Sequence, residues 1–143
     1  MNMTRNLKSV ALAIAGVLLL PSCAANGNGT TTAPVVRTEP TVKSVQTGKA
    51  SWYSIRTNHG TKTASGQRLD EQAATAAHKT LPMGTKVRVT NMSNGKSEIV
   101  TINDRGPFVQ GRVIDVTVGV AGRLGFVKKG VVPVKVEVLK TVQ

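Results

Sequence analysis

Hydrophobic residues recur at every second position over several short stretches of this chain. Val134, Val136 and Val138 alternate with Lys135 and Glu137 inside Val131–Leu139. Val87 and Val89 alternate with Lys86, Arg88 and Thr90 inside Thr85–Asn91. A period of two places one set of side chains on one face of a strand and the other set on the opposite face. Gly48–Tyr53, Lys96–Asn103 and Arg112–Val118 are also predicted as strands. Asn94-Gly95, between two such runs, is a two-residue hairpin signal. Val120–Leu124 reads as a short helix ended by Gly125, and Ala73–Lys79 fits either a strand or a helical turn. Short strands separated by turn signals, without a longer internal repeat, predict an all-β fold closed into a small barrel.

The N-terminal pattern is different. Arg5 and Lys8 precede Val10–Leu20, a run of apolar residues and glycine too short to favour a spanning helix. Leu20-Pro21-Ser22-Cys23 follows and resembles the end of a bacterial lipoprotein signal, which would make Cys23 the lipid-bearing N-terminus and the bilayer its partner. An ordinary secretory signal, leaving Cys23 a free thiol, is the alternative. One cysteine makes no internal disulfide. Ala24–Gln46 offers little to bury and is stiffened by Pro34 and Pro40, so it reads as a tether. The expected organisation is a signal peptide over residues 1–22, a lipidated cysteine and flexible linker over 23–46, and one domain over 47–142.

Composition limits what that domain can be. Two Phe, one Trp and one Tyr leave valine as the main core residue. Nineteen Lys and Arg against seven Asp and Glu give a net charge of +12, and the chain stays basic without Arg5 and Lys8. Such a field attracts polyanions. No nucleic-acid-reading motif is present and few aromatics can stack on bases, so nucleic acid is not expected as a partner. Lipid headgroups and wall-peptide carboxylates remain, beside a plain solvated exterior. Two His and one Cys show no metal-ligand spacing, so no metal or other cofactor is expected.

The candidate chemistry sits at Thr101-Ile102-Asn103-Asp104-Arg105-Gly106-Pro107. An alternating run delivers the carboxylate of Asp104 to a strand end, where Gly106 and Pro107 break the strand. An acid held there suits proton transfer, although an Asp-Arg pair can also simply close a turn. Asp115, between Ile114 and Val116, reads as a structural hydrogen-bonding group. Trp52 and Tyr53 offer either a sugar-stacking surface or core packing. His59 reads as a loop residue.

Together the blocks Gly48-Lys49-Ala50-Ser51-Trp52-Tyr53, Thr63-Ala64-Ser65-Gly66, Thr75-Ala76-Ala77-His78, Leu81-Pro82-Met83-Gly84-Thr85, Val87-Arg88-Val89-Thr90-Asn91, Ile102-Asn103-Asp104-Arg105-Gly106-Pro107 and Arg112-Val113-Ile114-Asp115 resemble the rare lipoprotein A family of septal-ring lytic transglycosylases. The resemblance implies a six-stranded double-psi β-barrel with one or two short helices. It also implies a location in the bacterial cell envelope, with peptidoglycan glycan strands as substrate and septal-ring proteins as possible partners. Ala24 after Cys23 gives no inner-membrane retention signal, so a lipid anchor in the outer membrane, facing the periplasm, is expected.

The family's site uses a Glu, a His and an Asp. The last two map to His78 and Asp104, but Gln67 stands where the Glu is expected. Gln67 cannot transfer a proton, though it can hold a sugar amide or hydroxyl. Ser65 and Arg105 join it as substrate-binding candidates. His78 is expected to donate to substrate or to Asp104, unless it is a satisfied wall residue. Asp70 fits a turn, and Glu71 is the remaining carboxylate that might replace the missing acid. A lytic transglycosylase can work with one carboxyl, because the substrate's own C6 hydroxyl is the nucleophile. The implied function is cleavage of MurNAc-GlcNAc bonds to 1,6-anhydro-MurNAc ends, with Asp104 as general acid and then base. Gln67 leaves a non-catalytic wall-binding barrel as the alternative.

Overall fold

The computed structural model describes residues 39–57 and 60–140. The expected signal segment, Cys23, the linker up to residue 38, and His59 lie outside the described residues. Six strands form one closed barrel in the order β1-β5-β2-β4-β3-β6. They are β1 Val42–Tyr53, β2 Thr75–His78, β3 Lys86–Asn91, β4 Ser97–Asp104, β5 Arg112–Thr117 and β6 Val131–Leu139, with the helix α1 Val118–Arg123 between β5 and β6. Two parallel pairings, β1 with β5 and β2 with β4, interleave with antiparallel ones, in keeping with the double-psi expectation.

The alternation seen in the sequence fills the barrel. Val87, Val89, Val136, Ile102, Ile114 and Val116 are 0% exposed, and Lys135 and Glu137 face outward. Closing the sheet removes these side chains from water with no strand edge left unpaired. Asn94-Gly95 turns β3 into β4, with Gly95 at φ 75 and its N–H bonded to the Asn91 carbonyl at 2.8 Å.

Two expectations are corrected and one open reading is settled. The linker does not run to residue 46: β1 starts at Val42, and Val42 to Ser51 pair with β6. The extra residues of β1 are held by backbone pairing, and Val42 and Val45 stay exposed, so no burial pattern marks them. The ambiguous stretch after Ala73 is a strand, Thr75–His78, fixed by neighbours on both sides. The helix takes over at Val118, capped by the Thr117 hydroxyl, which accepts from the Val120 N–H.

Candidate functional site

Asp104 reaches the outside of the barrel through a break in register. Val100 and Ile102 of β4 point into the core, and strict alternation would send Asp104 after them. Instead Ala76 pairs with Ile102 and the next residue, Ala77, pairs with Asp104. Asn103 is the extra residue of this bulge, and the bulge re-aims Asp104 to lie beside Ala77. On the other side Ala77 pairs with Asp115, which pairs with Ser51. Ser51, Asp115, Ala77 and Asp104 therefore form a row across four strands.

Within that row Asp104 is partly exposed. Its Oδ1 accepts from the backbone N–H groups of Ala64 and Arg105, both at 2.8 Å. Its Oδ2 accepts from none of the described residues. Gly106, two residues on, has φ 121, a conformation that a residue with a Cβ resists. Arg105 does not pair with Asp104. Its Nη1 donates to the carbonyls of His78 and Leu81 at 3.1 and 2.8 Å, which ties the turn after Asp104 to the end of β2.

His78 is 4% exposed and does not bond Asp104. Its Nδ1 accepts from the Thr80 and Leu81 N–H groups at 3.2 and 3.1 Å. That leaves Nε2 to carry the proton and donate to Gln46 Oε1 at 3.0 Å. Burial first, then the charges of Arg105 and Lys79, hold the ring below its ordinary pKa. The expected donor to Asp104 is thus a neutral staple between β1 and the turn that anchors Arg105. Gln46 was missed by the sequence reading because it falls in the segment assigned to the linker.

Ser65 and Gln67 meet at a cleft of about 330 Å³ on the β4 side, shared with Met83, Gly84 and Asn103. Gln67 Oε1 accepts from Ser65 Oγ at 3.3 Å and from Asn103 Nδ2 at 3.1 Å. The Ser65 N–H in turn donates to the Asn103 carbonyl at 3.1 Å. The place expected to hold a second acid therefore holds an amide already locked to Asn103. Glu71 does not replace that acid: its Oε1 accepts from the Ile55 N–H at 2.7 Å, and it lines a separate hollow with Asp70. Asp70 accepts from the Gln72 N–H at 2.9 Å, as a turn residue does.

The aromatic pair is not a sugar platform. Trp52 packs against the barrel core and donates its indole N–H to the Val127 carbonyl at 3.2 Å. Tyr53 is 9% exposed and clusters with Leu69 and Ala77. Its hydroxyl and Asn103 Oδ1 are the two buried side-chain polar atoms without a partner among the described residues. Burial, and then the nearby charge of Asp104, push the Tyr53 pKa up to about 12, so the hydroxyl keeps its proton. Thr75 opposes that rise but does not meet hydrogen-bonding geometry. Asp115 accepts from the Ser51 hydroxyl, and burial raises its pKa, opposed by Ser51 and by Arg112. It is the hydrogen-bonding group the sequence suggested. Among the described residues no three His, Cys, Asp or Glu side chains come together as a metal site would need.

Residues 45–136 match the profile of a family described as lytic transglycolase. Among curated proteins, the chain is 59% identical over 92 residues to an endolytic peptidoglycan transglycosylase RlpA from Neisseria meningitidis serogroup A, a match over 64% of this chain and 38% of that protein. It is 52% identical over 96 residues to the protein of the same name from Pseudomonas aeruginosa, covering 67% and 28% of the two chains. The chain thus spans well under half of these relatives. Among solved structures, a Streptomyces papain inhibitor superposes with TM-score 0.56 at 21% identity, over 71% of this chain and 100% of the other. A point mutant of Clavibacter michiganensis expansin in complex with cellohexaose gives TM-score 0.56 at 16% identity, over 70% and 52%. These two likenesses establish the barrel fold.

Proposed function

We propose a function from one premise: this chain belongs to the lytic transglycolase family. The protein cleaves peptidoglycan glycan strands endolytically between MurNAc and GlcNAc and leaves 1,6-anhydro-MurNAc ends. Asp104 is the group that moves protons. It first protonates the leaving glycosidic oxygen as the C1–O bond breaks. As a carboxylate it then takes the proton from the C6 hydroxyl, whose oxygen closes on C1, and the acid is restored. The observation that carries this reading is the Asp104 carboxylate itself. One oxygen is fixed by two backbone N–H groups, one of them from Ala64 next to cleft residue Ser65, and the other accepts from no donor among the described residues. Arg105 and His78 act on it as positioning residues, through the turn they hold. The names of the relatives support the reaction type and the substrate.

In the same proposal, Cys23 carries an acyl anchor. The barrel then works in the cell envelope, tethered to a membrane by the segment before β1 and within reach of septal-ring proteins. The lipoprotein-like Leu20-Pro21-Ser22-Cys23 supports that placement.

Mass spectrometry of the products from peptidoglycan stripped of stem peptides tests the reaction. Wild type releases anhydro ends. Asp104→Asn, whose amide oxygen still accepts both backbone N–H groups, lowers the rate about 10³-fold. Identical product profiles for the two proteins refute the mechanism. Gln67→Glu restores a carboxylate in the cleft and raises the rate roughly tenfold. Gln67 also motivates a second reading, a barrel that binds wall glycan without cutting it. Under that reading, wild type sediments with insoluble glycan and generates no anhydro ends.

A further inference from the structure

Two Phe, one Trp and one Tyr are the aromatic side chains of this protein, and all four lie among the described residues. Phe126 and Tyr53 are buried, and Trp52 is half-buried against the core. Phe108 is 82% exposed. A single exposed apolar residue usually needs no explanation. The place of this one does. Phe108 stands four residues after Asp104, so the two Cα atoms lie within about 14 Å of each other even on a fully extended path. A Cβ placed on Gly106 would meet Cε2 and Cδ2 of the Phe108 ring at 3.8 and 3.9 Å. The ring therefore leans back over the turn that follows Asp104. The segment that carries it is fastened on both sides. Before it, Gly106 and Pro107 are buried, and Arg105 Nη1 donates to the His78 and Leu81 carbonyls. After it, the Val109 carbonyl accepts from the Arg112 N–H at 3.2 Å, and the Gly111 carbonyl accepts from the Lys49 N–H at 3.0 Å.

We propose that Phe108 is a sugar-stacking platform: the apolar face of one pyranose of the glycan strand rests on its ring while a linkage further along the strand is held at Asp104. The assignment deepens the peptidoglycan reading and rests on it. A pyranose in a β-1,4 strand presents C–H groups on its face and hydroxyls at its rim, and such C–H groups are attracted to the negative face of an aromatic ring. Residues 106–111 carry no charged side chain. That suits a neutral sugar face better than an anionic bilayer, whose attraction draws on clustered cations. The exposed amide of Gln110, two residues on, is placed to meet hydroxyls at the sugar's rim. Trp52 and Tyr53, the aromatics that the sequence offered for this task, are committed elsewhere. Because the segment is fastened before any sugar arrives, little further ordering opposes binding.

Co-sedimentation of the full chain with insoluble peptidoglycan glycan stripped of stem peptides tests the platform. Using Asp104→Asn as the parent prevents turnover. Adding Phe108→Ala is expected to weaken binding about tenfold. Phe108→Trp keeps a flat ring and holds the affinity within about twofold of the parent, whereas Phe108→Leu, apolar but not flat, loses as much as alanine. The side chain is exposed, so the urea midpoints of all three variants stay at the parent value. The same proteins are mixed with vesicles of phosphatidylglycerol and phosphatidylethanolamine. Four results overturn the platform: no glycan binding by the parent, unchanged glycan affinity in Phe108→Ala, a leucine variant that binds as well as the tryptophan one, or a loss confined to the vesicles. The binding readout involves no bond cleavage. If wild type releases anhydro ends while Phe108→Ala binds like its parent, the platform alone is lost. If binding depends on Phe108 but wild type yields no anhydro ends, the reaction alone is lost.

Discussion

The barrel interior and the strip of outer wall around Asp104 follow opposite rules. Inside, every side chain of the main core cluster is apolar, and Val87, Val89, Ile102 and Ile114 are fully buried. Outside, the register between β2 and β4 slips, Gly106 takes a positive φ, and the buried side-chain polar atoms without a partner among the described residues belong to Tyr53 and to Asn103, the residue before Asp104. The interior is locally and globally consistent, and this consistency gives the chain its stability. The wall departs from the same rules over a few residues, and those residues are the ones with chemistry left to do. Lesions in the two regions should therefore have different signatures: unfolding for one, lost turnover with an intact fold for the other.

The largest effect on folding is expected from Ile114→Ala, which leaves a cavity in the packed interior and lowers the unfolding free energy by about 3 kcal/mol in urea titration. Asp104→Asn in the same assay changes it by less than about 1 kcal/mol, because both backbone hydrogen bonds survive. If the two variants lose stability equally, the division between regions is wrong. Tyr53→Phe removes a hydroxyl that has no partner among the described residues, so stability should hold or rise by about 1 kcal/mol. A clear loss would mean that the hydroxyl is bonded in solution.

The smallest effect concerns pH. His78 sits below its ordinary value of 6.5 in the folded chain, so the unfolded chain takes up that proton first as pH falls. The stability tied to the neutral ring is complete above 6.5 and is lost from there down toward the lowered value. Asp115 runs the other way: its raised pKa gives stability that is complete below the ordinary 3.8 and lost as pH rises through the raised value. His78→Gln should flatten the decline in urea midpoint as pH falls from 6.5 toward the lowered value, without touching the Asp115 limb. A slope unchanged in that variant would assign it to another group.

The same division explains what could be read from the sequence. The last strand was legible to the residue, and β3 and β4 to within one at each end, because burial writes a period-two pattern into them. β2 was not, since Thr75–His78 is too short to show a period and is held by partners far along the chain. The start of β1 left no trace because Val42 and Val45 pair through backbone alone and stay in solvent. In the site, Asp104 stands out because a strand end and the Gly106-Pro107 break punctuate the sequence, whereas Ser65 and Gln67 were found only through the family resemblance. The partners of His78 and Arg105 do not, because they are mostly backbone atoms and Gln46, which only the closed barrel brings near. Asn103 carried a faint signal: a polar residue immediately before the acid, at a position where alternation already falters.

The slip at Asn103 makes the distance along the chain, rather than any one side chain, the guardian of the acid. Asp104 is two residues after Ile102 and would face the core by plain alternation; the bulge lets it face out instead. A deletion at Asn103 would leave Asp104 directly after Ile102, outward by alternation alone, but without the Asn103 carbonyl and amide that hold Ser65 and Gln67. Spacing here therefore ties the acid to the loop that carries Ala64, Ser65 and Gln67. Any redesign of this wall must keep that spacing before it chooses residues.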